Sequence, residues 1–248
     1  MTTENNNTNK LANSSGLTDR GLVRKINEDA YLDQPEKGLW VVADGMGGHQ
    51  AGDLASRMII ESLESTKLNG SLAERLDQIE DAIDQVNNEL LIQGSNSNQP
   101  KKIIGSTIAL LVALDRQLGA ILWAGDSRVY RLRNNKLTQV SSDHSQVESY
   151  IRQGIITPEE ARTHPERNII TRAVGSQEEL FMEADLCEFS PKDRYLLCTD
   201  GLTRHLEDKE IADIIAKDNP DKACQALIEL TLQRGAKDNV TVVIVDLS

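Results

Sequence analysis

Cysteine is scarce in this chain of 248 residues: there are three, Cys187, Cys198 and Cys224, with no C-x-x-C spacing among them. An odd, scattered set is neither a disulfide framework nor a zinc knuckle, and it points to a reducing, cytoplasmic setting. Long apolar runs are missing too. None approaches the roughly 20 residues of a membrane span. Positive charge is in deficit, with 27 Lys and Arg against 39 Asp and Glu and a net charge of −12. A nucleic-acid binder ordinarily carries a basic face, so neither nucleic acid nor a membrane is an expected partner. Residues 1–15 are polar and Asn-rich and lack the apolar stretch of a signal peptide. They read as a disordered tail. Residues 16–248 read as a single domain, and nothing in them marks an oligomer interface, so a monomer is expected.

Two segments that the chain does have read alike: Leu39-Trp-Val-Val-Ala-Asp44-Gly45 and Tyr195-Leu-Leu-Cys-Thr-Asp200-Gly201. Each reads as a buried strand delivering a carboxylate at its end, with a following Gly free to take positive φ. A carboxylate beside an apolar core is costly unless paired or bound to a cation. Two such sites suggest a shared cation.

The rest of the chain supplies helices, strands and a loop-rich insertion. Ala51, Leu54, Ala55, Met58, Ile59 and Leu63 form a helical stripe. A second helix opens with a capping box at Ser71 and Glu74. Leu72, Leu76, Ile79, Ile83, Val86 and Leu90 then cover one face of it. Residues 93–102 read as a loop. Residues 105–141 read as a β-meander, with short turns at 115–119 and at Asn134-Asn135 forcing antiparallel pairing. Capping boxes at Ser145/Glu148 and Thr157/Glu160 mark short helices in an inserted flap spanning about 145–175. Strands return at 194–199 and 240–247, with helices at about 207–217 and 221–234 between them. Strands apolar on both faces need cover on both. The expected fold is therefore α+β: a four-layer α-β-β-α sandwich of two stacked, mainly antiparallel sheets flanked by helices.

Three further acids stand at strand ends or turns: Asp29, Asp126 and Asp238. Oxygen ligands of this kind suit hard divalent cations such as Mg²⁺ and Mn²⁺. With four His and no Cys pattern, zinc is the poorer match.

The segments Gly16-Leu-Thr-Asp-Arg-Gly-Leu-Val-Arg24, Asn27-Glu-Asp29, Val42-Ala-Asp-Gly-Met-Gly-Gly-His49 and Gly105-Ser-Thr107 carry a resemblance. So do Gly125-Asp-Ser-Arg128, Ser142-Asp-His144, 168–175, Thr199-Asp-Gly201 and Lys237-Asp-Asn-Val-Thr241. In order and extent the chain resembles bacterial-type members of the protein phosphatase 2C (PPM) family, metal-dependent Ser/Thr phosphatases. The resemblance implies two ions, Mn²⁺ or Mg²⁺. Asp44 would bridge them, the Gly45 carbonyl would ligate one, and Asp200 and Asp238 would complete the other. Asp29 would act directly or through water. Asp126 with Asp200 matches a pair that holds a third ion in bacterial members. Arg24 matches a phosphate-binding arginine. The implied reaction is direct attack of a metal-bridging hydroxide on phosphoserine or phosphothreonine in proteins, with no phospho-enzyme intermediate. The implied partners are phosphoproteins of a cognate Ser/Thr kinase.

His49 is the candidate proton donor, although in many relatives the His directly follows Asp-Gly, where Met46 stands here. His49 as a surface residue, with metal-bound water as the acid, is the alternative. Two other functions compete: a catalytically dead relative that recognises phosphoproteins or regulates a partner, and a metal-dependent hydrolase of small phosphoesters or nucleic acid, the latter disfavoured by the acidic charge. An intact set of acids argues against the first.

Overall fold

Alternation along the strands builds the layers. The computed structural model describes residues 11–48, 50–95 and 103–247. It opens with strands β1 (Ala12–Asp19), β2 (Asp29–Gln34) and β3 (Leu39–Met46), then helices α1 (Gln50–Ser65) and α2 (Leu72–Ser95). Strands β4 (Gly105–Ser106), β5 (Ile108–Ala113), β6 (Leu118–Ala124), β7 (Arg128–Arg133) and β8 (Lys136–Gln139) follow. The flap carries α3 (Gln146–Arg152) and α4 (Pro158–Ala161). Then come β9 (Glu183–Glu188), β10 (Arg194–Cys198), α5 (Asp200–Thr203), α6 (Asp208–Ile215), α7 (Pro220–Gln233) and β11 (Val240–Leu247).

One sheet runs β1-β11-β10-β7-β8 and the other β2-β3-β5-β6-β9, with β4 on β3. In β3, Leu39, Val41 and Ala43 face α1 and α2, whereas Trp40 and Val42 face the opposite sheet. In β11, Val243, Val245 and Leu247 face the sheet-sheet core, and Val242 and Ile244 face α7. Period-2 alternation of apolar residues on both faces thus yields three apolar layers between four structural ones. The expected α-β-β-α sandwich is the observed fold.

Four expectations are corrected. Residues 105–141 are not one meander: β5 pairs β6 and β7 pairs β8, but β6 and β7 lie in different sheets. Three residues, 125–127, carry the chain across, and Gly125 takes φ 117° to do so. Strand β1 begins inside the segment expected to be a tail and pairs with β11 from Ala12↔Leu247 to Asp19↔Val240. Its polar sequence hides it, because an edge strand is held by its backbone ladder as much as by burial. Residues 1–10 lie outside the described residues. Helix α2 continues to Ser95, inside the expected loop, and 96–102 lie outside the described residues. Finally, neither Gly45 nor Gly201 has positive φ. Both are required by crowding: a Cβ on Gly45 would stand 2.0 Å from the Gly52 carbonyl oxygen, and one on Gly201 would stand 1.9 Å from that of Asn239.

The turn at Asn134-Asn135 is as expected, with φ of 51° and 60°, the left-handed pair that a tight hairpin needs. The flap is tied down at its base by isolated bridges, Ser145↔Ile170 and Val174↔Ser106.

Candidate metal centre

All five acids gather at one end of the sandwich. Asp44 shares the inward parity of Trp40 and Val42 and stands opposite Asp29 in the β2-β3 register. Asp200 opens α5 directly beyond β10, and Asp238 precedes β11. Asp126 sits in the crossover between the sheets.

Hydroxyls and amides fix this end. The Asp44 N–H donates to Thr107 Oγ1 (3.0 Å), and its carbonyl accepts from the Thr107 N–H (2.9 Å). Asp29 Oδ2 accepts from Thr199 Oγ1 at 2.8 Å and from Thr241 Oγ1 at 2.7 Å, across the gap between sheets. That engagement explains why Thr199, at the N-cap of α5, makes no side-chain cap. Asn239 pins the 20–28 loop: its Nδ2 donates to the carbonyls of Arg20 (2.8 Å) and Ile26 (3.0 Å), and its Oδ1 accepts from the Glu28 N–H (2.8 Å). Thr107, Thr199, Thr241 and Asn239 were not singled out as site residues from sequence. Their signal was adjacency to the acids within the same short motifs.

The electrostatics are those of crowded carboxylates. Burial first, then Asp200 and Asp238 charge, push Asp29 up to about 7 against two threonine hydrogen bonds that lower it. Burial and the neighbouring Asp200 and Asp143 push Asp126 up to about 8. Burial raises Asp200 to about 6, moderated by Arg204. Asp44 is raised well above the usual range by burial, then by Asp29, Asp200, Asp126 and Asp238. Among the described residues, Oδ1 of Asp29, Asp126 and Asp200 is buried without a hydrogen-bond partner.

These oxygens fit a hard divalent cation: the donors are all oxygen, several lack a partner, and their mutual repulsion is what a cation relieves. Among the described residues no three His, Cys, Asp or Glu side chains form a ready-made ligand set. Two of the five acids are engaged by guanidinium instead. Arg24 Nη2 pairs with Asp238 Oδ2 at 2.8 Å, and Arg204 pairs with both Asp200 and Asp238.

A cleft of about 1090 Å³ opens onto Asp126, Asp200, Asp238 and Arg24, with flap residues such as Val147, Ile151 and Pro158 on one wall. Asp143 does not join the acids; it grips Arg128 with both oxygens, at 2.9 and 2.7 Å. His144 accepts the Gly125 N–H on Nδ1 at 3.2 Å, and so ties the flap base to the crossover. His49 lies outside the described residues.

Comparison with known proteins shows the family. The family model described as Protein phosphatase 2C matches residues 23–240. The Ser/Thr protein phosphatase PstP of Mycobacterium tuberculosis is 37% identical over 234 residues. That match covers 92% of this chain, which spans 44% of the relative's length. The solved structure of PppA, described as a key regulatory component of T6SS in Pseudomonas aeruginosa, superposes with a TM-score of 0.87. It is 39% identical and covers 94% of this chain and 96% of its own. A catalytic domain of PstP solved with two manganese ions superposes with a TM-score of 0.84 at 33% identity, covering 95% and 97%. The chain belongs to the protein phosphatase 2C family.

Proposed function

We propose that the protein hydrolyses phosphoserine and phosphothreonine esters on proteins, using Mn²⁺ or Mg²⁺ held among Asp29, Asp44, Gly45, Asp126, Asp200 and Asp238. The observation that carries this reading is the convergence of buried carboxylate oxygens without partners at the mouth of a family-typical sandwich. When bound, a divalent pair supplies charge neutralisation at the phosphate and a water acidic enough to act as nucleophile near neutral pH.

The chain's own groups do the rest. Asp44, held by its backbone, would hold the ions with its side chain, together with the Gly45 carbonyl. Asp200 and Asp238 would add ligands from the opposite sheet. Thr199 and Thr241 hold Asp29 in one orientation. Arg24, half-exposed on the cleft, can meet two phosphate oxygens with one planar fork. Asn239 keeps the Arg24 loop against the site. His49 is retained as the proton donor to the leaving alkoxide. A His49→Ala variant with an unchanged rate and pH–rate profile removes it from the mechanism.

Phosphoproteins of a cognate Ser/Thr kinase, a monomeric state and a cytoplasmic location belong to the same reading. Three free, buried thiols support a reducing compartment. Among the described residues no helix is long and apolar enough to cross a membrane. The reading is tested by incubating the protein with a phosphothreonine peptide in Mn²⁺ or in chelator. Phosphate release that requires Mn²⁺ is expected, and the absence of any metal-dependent release overturns the proposal.

A further inference from the structure

Arg204 places a permanent cation inside the carboxylate centre. It caps the C-terminal end of α5, four residues beyond Asp200. From there its guanidinium reaches back to Asp200 Oδ2 and across to Asp238 Oδ2, the second contact at 3.1 Å. It is also the cation that acts on Asp126, opposing the rise that burial and Asp200 impose there. None of the roles assigned above uses it.

The division of oxygens is the informative detail. Asp126 and Asp200 are only 7% and 8% exposed, and each keeps Oδ1 buried and without a partner among the described residues. The Oδ2 of Asp200 is taken by Arg204, and the Oδ2 of Asp238 is shared by Arg24 and Arg204. A guanidinium stays charged at any working pH, and its rigid fork can grip two carboxylates at once. A divalent ion between Asp126 and Asp200 would have to displace that fork or sit beside its charge, and like charges repel more strongly as water is excluded.

We infer that Arg204 is this chain's substitute for a third cation: by occupying the Oδ2 oxygens of Asp200 and Asp238 it limits the centre to two divalent ions. The inference rests on the two-ion reading proposed above. It makes Arg204 a positioning residue, holding Asp200 with its Oδ1 left for the ions, while Asp238 Oδ1 accepts the Asn239 N–H at 2.9 Å.

The test counts ions. Metal-stripped wild-type protein, Arg204→Ala and Arg204→Met are titrated with Mn²⁺, and bound metal per chain is measured by equilibrium dialysis and by the loss of the free-Mn²⁺ resonance signal. Two ions are expected in the wild type. Both variants are expected to gain a third, weaker ion. Three ions in the wild type, or a count that stays at two in folded Arg204→Ala and Arg204→Met, overturns the inference. Arg204 is partly exposed, at 35%, so its replacement leaves the core intact; matching circular dichroism spectra establish that the variants are folded. Ion counting does not read hydrolysis. Two bound ions with no phosphatase activity would refute the proposed function alone, and activity with three would refute this inference alone.

Discussion

Asp44 is held by its main chain, which leaves its carboxylate free for other work. Its N–H and C=O both bond to Thr107, and four other aspartates act on its side chain. Asp44→Asn therefore keeps the fold and removes one charge from a repulsive cluster. Hydrolysis is expected to fall by about 10²-fold or more, the scale of losing one preorganised electrostatic contact, and Mn²⁺ affinity falls with it. In chelator the variant is expected to melt higher than the wild type, because a buried repulsion is gone. Full activity in this variant would refute the bridging role. Asn239 is the complementary case: it touches no substrate, yet three hydrogen bonds from one side chain hold the 20–28 loop. Asn239→Ala should cost about 2–4 kcal/mol at roughly 1 kcal/mol per bond, read by urea unfolding. It should also raise KM by loosening Arg24.

At the level of elements, the three-residue crossover from β6 to β7 decides where Asp126 goes. A hairpin there would leave it on one sheet edge, whereas the crossover places it between the sheets. His144 braces this crossover by accepting the Gly125 N–H, which requires an unprotonated Nδ1. Burial, followed by the Arg172 charge, depresses its pKa, with Glu183 opposing. The folded state thus binds fewer protons at His144 than the unfolded chain, whose imidazole titrates near ~6.5. Its neutral form is favoured above that pH, and the folded state loses stability as pH falls through it. The crowded carboxylates, whose pKa values are raised, act in the opposite sense as they take up protons, so the His144 contribution is read as a difference between two proteins. In His144→Asn, which keeps an acceptor for Gly125 but cannot titrate, the thermal midpoint should rise relative to that of the wild type as pH goes from 7 to 5.5. Equal slopes in the two proteins would remove His144 from this role.

For the whole molecule, folding gathers like charges that the unfolded chain keeps apart. A net charge of −12 adds a general repulsion to the local one. Anything that binds the folded centre stabilises it by mass action, about 2.7 kcal/mol at a hundred times the dissociation constant. For a chain of this size that is a rise of about 5–11 °C, at 2–4 °C per kcal/mol. Mn²⁺ titration should produce such a rise in the wild type and a smaller one in Asp44→Asn, followed by calorimetry.

Much of this was legible before any coordinates. Apolar residues at every position of 108–113 and on both faces of 240–247 demanded cover on both faces, and the capping boxes at Ser71 and Thr157 marked helix starts that the structure contains. Strand β1 was not legible, because ANSSGLTD has no apolar alternation and is held by its ladder to β11. Nor was β9, a mostly exposed edge strand. The two Asp-Gly steps looked alike and invited one explanation, positive φ. Their shared cause is crowding by backbone from distant segments, Gly52 in one case and Asn239 in the other.

The sequence by itself determined the family, the layer order and which acids stand at strand ends, because these follow from local pattern: alternation, caps and short motifs. Only the tertiary structure decided how the acids meet. It set Asp29 across from Asp44, bound Asp29 to threonines of the other sheet, and brought Arg204 onto Asp200 and Asp238. Asp29 lies 212 positions from Thr241, and Arg204 lies 34 from Asp238. The first contact is fixed by the stacking of two sheets and the second by the pairing of β10 with β11, neither of which a local pattern encodes.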